Sequence, residues 1–127
     1  MVPGFVDVYK RQVYINGNGY LQGAPAYDRE QDLYFSEEDP QIRIAEENGN
    51  VYLECFVEES LLQLATETIT TAKLGTTRIT GCTFDAPDGT PLQIDRDYLG
   101  NTRSSSPTAG PIEHLAPGWN RILVWKK

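Results

Sequence analysis

The chain has 127 residues and a formal net charge of -7, and 39% of its residues are apolar and 10% aromatic. A chain of this length fits one domain and can bury roughly two-thirds of the surface that its unfolded form exposes, so we expect a hydrophobic core. The acidic balance, with no cluster of Lys and Arg around aromatic residues, argues against nucleic acid as a partner. No apolar run approaches the ~20 residues that span a bilayer, so no membrane partner is predicted.

The N-terminal twelve residues, MVPGFVDVYKRQ, differ in character from the rest. Their last six resemble a translated adapter that recurs at the ends of metagenome-derived reading frames. We therefore predict that residues 1–12 are a non-native leader and that residues 13–127 form a single β domain, the C-terminal fragment of a larger protein. The alternative is a native N-terminal strand, because Val6 and Val8 favour β structure.

The hydrophobic pattern predicts strands along most of the chain. Short strands are expected at 19–22, 32–35, 66–71, 77–80 and 121–125, with a helical turn within 58–64. The clearest element is an antiparallel hairpin that pairs 42–44 with 51–57 through Asn48-Gly49, since this dipeptide tolerates positive φ at both turn positions. Residues 85–117, rich in Gly, Pro, Ser and Asp, predict a long irregular segment. The predicted class is all-β: an antiparallel β-sandwich-like domain with a long irregular C-terminal segment.

Two cysteines, Cys55 and Cys82, lack the spacing of a metal or redox motif. We expect two buried, unpaired thiols inside strands. The alternative is a disulfide, if the protein is exported.

A pair of carboxylates, Asp95 and Asp97, is the first candidate for chemistry. On an extended segment both side chains would lie on one face, about 7 Å apart at the backbone, and glycoside cleavage uses two carboxyl groups about 5 to 9.5 Å apart. However, Arg96 and Arg103 are close enough in sequence to pair with them, which would keep both ionised and leave no proton donor. The sequence thus predicts no catalytic residue, and it contains no motif for a metal or another cofactor.

Aromatic residues supply a second candidate, because an apolar sugar face stacks on an aromatic ring while its hydroxyl rim forms hydrogen bonds. Trp119, in a Pro-Gly-Trp-Asn turn, is the best candidate for exposure, whereas aromatic residues in strands more often pack in a core. The predicted ligand-binding residues are Trp119, Tyr20, Tyr27, Asp95 and Asp97.

Four segments carry a family resemblance: 16–24, 66–75, 88–103 and 109–113. They include an Asp-x-x-Gly-x-x-Arg stretch and a following Gly-x-x-Glu, which are Asp97, Gly100, Arg103, Gly110 and Glu113. Together they resemble the C-terminal region of secreted right-handed parallel β-helix proteins, above all β-helix glycoside hydrolases of the β-xylosidase kind. The resemblance implies a secreted parent that acts on plant-type polysaccharide and has its catalytic carboxylates upstream. The chain departs from that pattern because it contains no run of β-helix coils.

Three functions remain open from the sequence. The first is a non-catalytic accessory region of a β-helix glycoside hydrolase, whose partners would be the upstream β-helix domain and a polysaccharide or oligosaccharide. The second is a free-standing carbohydrate-binding module. The third is a small glycosidase that uses Asp95 and Asp97. An exposed apolar surface would favour the first, an aromatic row over a groove the second, and a pocket around two unpaired carboxylates the third.

Overall fold

The computed structural model describes residues 5–8 and 11–127, and its described part confirms the all-β class. The elements are β1 (Phe5–Val8), β2 (Arg11–Tyr14), β3 (Gly19–Leu21), β4 (Tyr34–Ser36), β5 (Arg43–Glu47), β6 (Asn50–Val57), α1 (Glu59–Leu62), α2 (Thr71–Leu74) and β7 (Gly118–Trp125). The strands form two two-stranded sheets, β1-β2 and β3-β4, and one three-stranded sheet in the order β5-β6-β7. No helix in the described ranges is long and apolar enough to cross a membrane.

The predicted hairpin is confirmed. β5 and β6 pair antiparallel from Arg43 opposite Glu54 to Glu47 opposite Asn50. The turn between them has φ of 51° at Asn48 and 78° at Gly49, the left-handed values that this dipeptide accommodates. β7 then pairs antiparallel with the far side of β6, so the predicted terminal strand is present and begins earlier, at Gly118.

β3 and β4 confirm two predicted short strands but pair in parallel. Gly19 lies opposite Tyr34, and a separate parallel bridge joins Asn16 to Gln31. In both pairs the second residue follows the first by 15 positions (34 minus 19, and 31 minus 16). The chain therefore loops round and returns beside itself in the same direction.

Two other predicted strands, 66–71 and 77–80, are wrong. Thr70 makes one isolated bridge, and its hydroxyl accepts a hydrogen bond from the Lys73 amide at 3.1 Å, which caps α2. The hydroxyl of Thr77 accepts from the Cys82 amide at 2.9 Å and holds a turn. Threonine favours strands on average, but here its hydroxyl bonds to nearby backbone and stabilises local turns instead. The helical turn predicted within 58–64 is confirmed as α1.

The expectation of a substantial core is wrong for the described residues. Val57 and Ile112 are the buried apolar residues, each 5% exposed, and no large side chain is fully buried. The chain exposes 8744 Å², whereas a compact monomer of this length would expose roughly 6,800 Å². Small separate sheets leave most apolar faces without an opposing layer, so length alone did not guarantee burial.

The cysteines only partly match the prediction. Both are free; Cys55 is half-buried on β6, where burial raises the pKa of its thiol, whereas Cys82 is exposed and lies outside any strand.

β1 pairs with β2, from Phe5 opposite Tyr14 to Val8 opposite Arg11. The origin of residues 1–12 stays a prediction.

Candidate functional site

Asp97 is a buried carboxylate, 7% exposed, whose oxygens are occupied by neighbouring N–H groups. Its Oδ1 accepts from the amides of Leu99 and Asn101 at 2.9 and 2.8 Å. Its Oδ2 accepts from the Asn101 side chain at 3.1 Å and the Glu113 amide at 3.0 Å. Burial alone would raise the pKa of Asp97, but these hydrogen bonds, led by that of Glu113, lower it from 3.8 to about 2. A carboxyl group that is ionised at neutral pH holds no proton to donate as a general acid.

Glu113, also 7% exposed, is held in the same way. It accepts from the amides of Ser104 and Thr108 at 2.9 and 3.0 Å and from the guanidinium of Arg103 at 3.2 Å. Burial again acts to raise the pKa of Glu113, and the amide hydrogen bonds together with the Arg103 charge outweigh it, so the pKa is lowered. Arg103 donates further to the carbonyls of Thr108 and Gly110 at 3.1 and 2.8 Å. This buried ion pair is thus saturated with hydrogen bonds.

The residues of the Asp-x-x-Gly-x-x-Arg and Gly-x-x-Glu motifs all belong to this one network. Gly100, at φ 83°, reverses the chain and donates to the Asp97 carbonyl at 3.0 Å. Gly110, at φ 93°, presents the carbonyl that Arg103 binds. We name Asp97, Gly100, Arg103, Gly110 and Glu113 the closing network, because they join the two ends of an irregular loop. Their geometry supports a structural role for the motif.

The predicted pairing of Arg96 and Arg103 with Asp95 and Asp97 is wrong. Arg96 donates to the hydroxyl of Thr102 at 2.7 Å, and the carboxylate partner of Arg103 is the glutamate of the closing network. The prediction assumed an extended segment, but the chain turns at Asp97, whose amide donates to a carbonyl four residues on at 2.9 Å. Asp95 is half-buried, and its backbone carbonyl accepts from the Arg103 amide at 2.8 Å.

The two predicted tyrosines lie around another buried carboxylate, Glu30, which is 8% exposed. The hydroxyl of Tyr20 donates to Glu30, and this hydrogen bond raises the pKa of the tyrosine. The ring of Tyr20 lies 5.6 Å from that of Phe35. Tyr27 is half-buried, and its carbonyl accepts from the Glu30 amide at 3.1 Å. The hydrogen bonds of this region are therefore directed inward, to Glu30.

Trp119, by contrast, is 52% exposed at the start of β7, as predicted. The ring of Phe56, itself 36% exposed, meets it edge-on with a centroid distance of 6.1 Å and an interplanar angle of 79°. The guanidinium carbon of Arg43 lies 5.2 Å from the Trp119 ring centroid. Trp125, near the other end of β7, is 55% exposed. Aromatic side chains of the three-stranded sheet thus point outward, although aromatic residues in strands were expected to pack in a core.

Charged side chains on the same face neutralise one another. Arg43 Nε lies 3.9 Å from Glu54 Oε2, and Arg121 Nε lies 3.2 Å from Glu54 Oε1. Arg121 also donates to Glu47 and lies over the Tyr52 ring, 4.0 Å from its centroid. Two arginines and two glutamates therefore form one chain of ion pairs with no net charge.

An open groove of about 740 Å³ begins beside this face. Its apolar lining includes Phe56 and Val57, and it is also lined by Gly118, which precedes Trp119 in the chain. Its polar lining is formed by Glu38, Glu58, Glu59, Ser60 and Gln63. Sequence reasoning missed this groove, although the alternation of β6 already placed Phe56 on the opposite face from its aliphatic residues. Its volume lies within the range of ligand-binding clefts.

Two further features lie outside the groove. A smaller cavity of about 230 Å³ is lined by polar groups that include Asn16, whose Oδ1 is buried without a hydrogen-bond partner in the described structure. Among residues 5–8 and 11–127, no cluster of three or more His, Cys, Asp or Glu could hold a metal ion. His114 is exposed.

Comparison with known proteins gives one informative match. The sequence matches no protein-family model and none of the curated proteins. A solved structure of XylC in complex with xylose is 33% identical to this chain and superposes with a TM-score of 0.80. The match covers 88% of this chain and 18% of the XylC chain. This chain is therefore similar to XylC in sequence and fold, and it spans less than a fifth of that protein.

Proposed function

We propose that this chain is the C-terminal, non-catalytic accessory region of a longer, exported, carbohydrate-active protein built on a right-handed parallel β-helix. The observation that carries the proposal is the match to a limited part of XylC, a protein solved with xylose. A piece that corresponds to so small a share of its relative is expected to act with the remainder. The substrate of the whole protein would be a plant-type polysaccharide.

The parallel pair β3-β4 supports the β-helix parent. Its constant spacing of 15 residues gives one solenoid coil, and a single coil cannot bury its own hydrophobic face. Within the described strands β3 pairs only with β4, so its other edge has no strand partner. A preceding coil would add there as a further parallel strand.

The exposed surface supports a covering domain. The excess over a compact monomer is about 2,000 Å², which is more than the roughly 800 Å² per partner that a standard stable protein interface buries. Exposed apolar side chains outside the three-stranded sheet include Phe35, Ile79, Ile94 and Tyr98. An upstream domain packed on these side chains would remove them from water and supply the missing layer.

The closing network supports the absence of catalysis. Asp97 and Glu113 are ionised and saturated with hydrogen bonds, so neither is available as a proton donor or a nucleophile. This argues against the small glycosidase that would use Asp95 and Asp97, since one member of its pair is a structural group.

The test is turnover of an aryl β-xyloside by the purified chain, with Asp95→Asn and Asp97→Asn as variants. We expect no hydrolysis above the buffer rate for any of the three proteins. Activity in the wild type that disappears in either variant would refute the non-catalytic role. Circular dichroism of each protein must accompany the assay, because Asp97 also stabilises the fold.

A free-standing carbohydrate-binding module is the second candidate, and one observation favours it. Trp119 and Phe56 are exposed beside a groove, as a sugar-stacking site requires. The two candidates differ in whether the chain has a covalent upstream domain.

A further inference from the structure

We propose that the groove beside Phe56 and Trp119 binds an uncharged oligosaccharide, an inference that rests on the proposed carbohydrate context and names its site and ligand class. Phe56 lines the groove, and its ring is in edge-on contact with that of Trp119, which follows the lining residue Gly118 in the chain. The site is distinct from the closing network, whose polar groups bond to one another.

Stacking is the first requirement, and the aromatic pair meets it. Trp119 is half exposed, and its orientation is held by the edge-on contact with Phe56 and by the Arg43 guanidinium. A ring fixed in this way loses little conformational freedom when a ligand stacks on it. The apolar face of a pyranose ring is a suitable partner for its exposed surface.

Hydrogen bonding along the groove is the second requirement. The Tyr34 hydroxyl donates to Glu58 at 3.0 Å and bonds to the Ser60 hydroxyl at 2.8 Å, so it holds two groove residues in place. Gln63 and Glu59 are exposed, and both line the groove. Carboxylate and amide oxygens accept from sugar hydroxyls, and the Gln63 amide also donates.

Charge then selects the ligand class. Glu38, Glu58 and Glu59 line the groove, while the arginines of the adjoining face are already paired with glutamates. Ligands that carry carboxylates or phosphates would be repelled. A neutral glycan fits this combination of acceptors and aromatic rings, whereas an acidic glycan does not.

The experiment is titration calorimetry of the full chain with xylohexaose, a neutral probe, and with an oligogalacturonate of equal length. Trp119→Ala should weaken xylohexaose binding by about tenfold, through the lost stacking surface. Trp125→Ala is the matched control, since it removes an equally exposed tryptophan from the same strand, about 20 Å away. Its affinity should stay within about twofold of the wild type. Gln63→Ala, a change outside the sheet, should also weaken binding.

Several outcomes would overturn this inference. They are no binding of xylohexaose by the wild type, equal losses in the two tryptophan variants, or tighter binding of the acidic probe. Concentration-dependent dimerisation abolished by Trp119→Ala would identify the face as a protein interface instead. These outcomes leave the non-catalytic proposal intact, because that proposal fails only if the wild type hydrolyses the xyloside.

Discussion

Two buried carboxylates, Asp97 and Glu113, give the motif that carries the family resemblance a structural role. Asp97 and Glu113 are both 7% exposed in a chain with very little core. A buried carboxylate persists only when hydrogen bonds or an opposite charge replace its lost hydration. Here backbone amides and Arg103 supply that replacement, and in doing so they tie down an irregular loop that has few apolar contacts to stabilise it.

Acid should weaken the closing network in a defined window. The pKa of Asp97 is lowered on folding from 3.8 to about 2, so the unfolded chain takes up a proton more readily than the folded chain. The stability that Asp97 contributes is complete above pH 3.8 and is lost as the pH falls towards 2. Asp97→Asn should lower the Tm by several degrees at pH 7, because its NH2 group faces donors that the carboxylate accepted.

Thermal melts of both proteins from pH 7 to pH 2 check this expectation. The other carboxylates titrate in both, so the difference in Tm isolates Asp97. That difference should be largest at pH 7 and should shrink below pH 4. A difference that is constant with pH would mean that the carboxylate charge makes no contribution.

Residue-level prediction from sequence succeeded where local chemistry decided the outcome. The exposure of Trp119 followed from its Pro-Gly context. The carboxylate partner of Arg103 did not follow, because Glu113 lies ten residues further along an irregular stretch that includes the left-handed residue Gly110. Nearest neighbours in sequence were a poor guide to ion pairing in an irregular segment.

Among the elements, the antiparallel hairpin was predictable because its turn and both strands agree. The parallel pair β3-β4 was not, since no local signal specifies the direction of a strand that returns after a loop without a helix. The threonine-rich segment was wrongly predicted as strands. The hydrophobic pattern does not show that threonine side chains bond to the nearby backbone, and these hydrogen bonds compete with strand pairing.

The hairpin turn gives a test at this scale. Gly49→Ala places a Cβ on a residue with φ 78°, 2.9 Å from Lys127 Cδ. The flexible lysine can move, so the cost comes mainly from the left-handed backbone and should be about 1–2 kcal/mol. Asn48→Gly is the control, because glycine also accepts the φ of 51° found there, and it should change stability by less than about 0.5 kcal/mol. Urea unfolding measures both, and equal effects would contradict a type I′ turn.

At the scale of the whole molecule, the main feature is the large exposed surface. A chain of this length was expected to enclose a core, yet it exposes 8744 Å² and buries two apolar side chains in its described part. Composition could not reveal this shortfall, because 39% apolar residues is ordinary for a globular protein. The proposed upstream domain would explain this arrangement, because it would pack on the parallel pair β3-β4 and on the exposed apolar side chains outside the three-stranded sheet. The proposal of an upstream β-helix accounts for the free edge of β3 and for the exposed apolar side chains together.

The most direct measurement is the genomic DNA sequence of the source across the codons for Met1 to Val13. If residues 1–12 are a non-native leader to a fragment of a larger protein, their codons are absent from the genome, and an open reading frame continues upstream of Val13 and encodes successive coils of a parallel β-helix. A genome that encodes Met1 to Gln12 as given, preceded by a stop codon and a ribosome-binding site, would contradict the proposed larger parent.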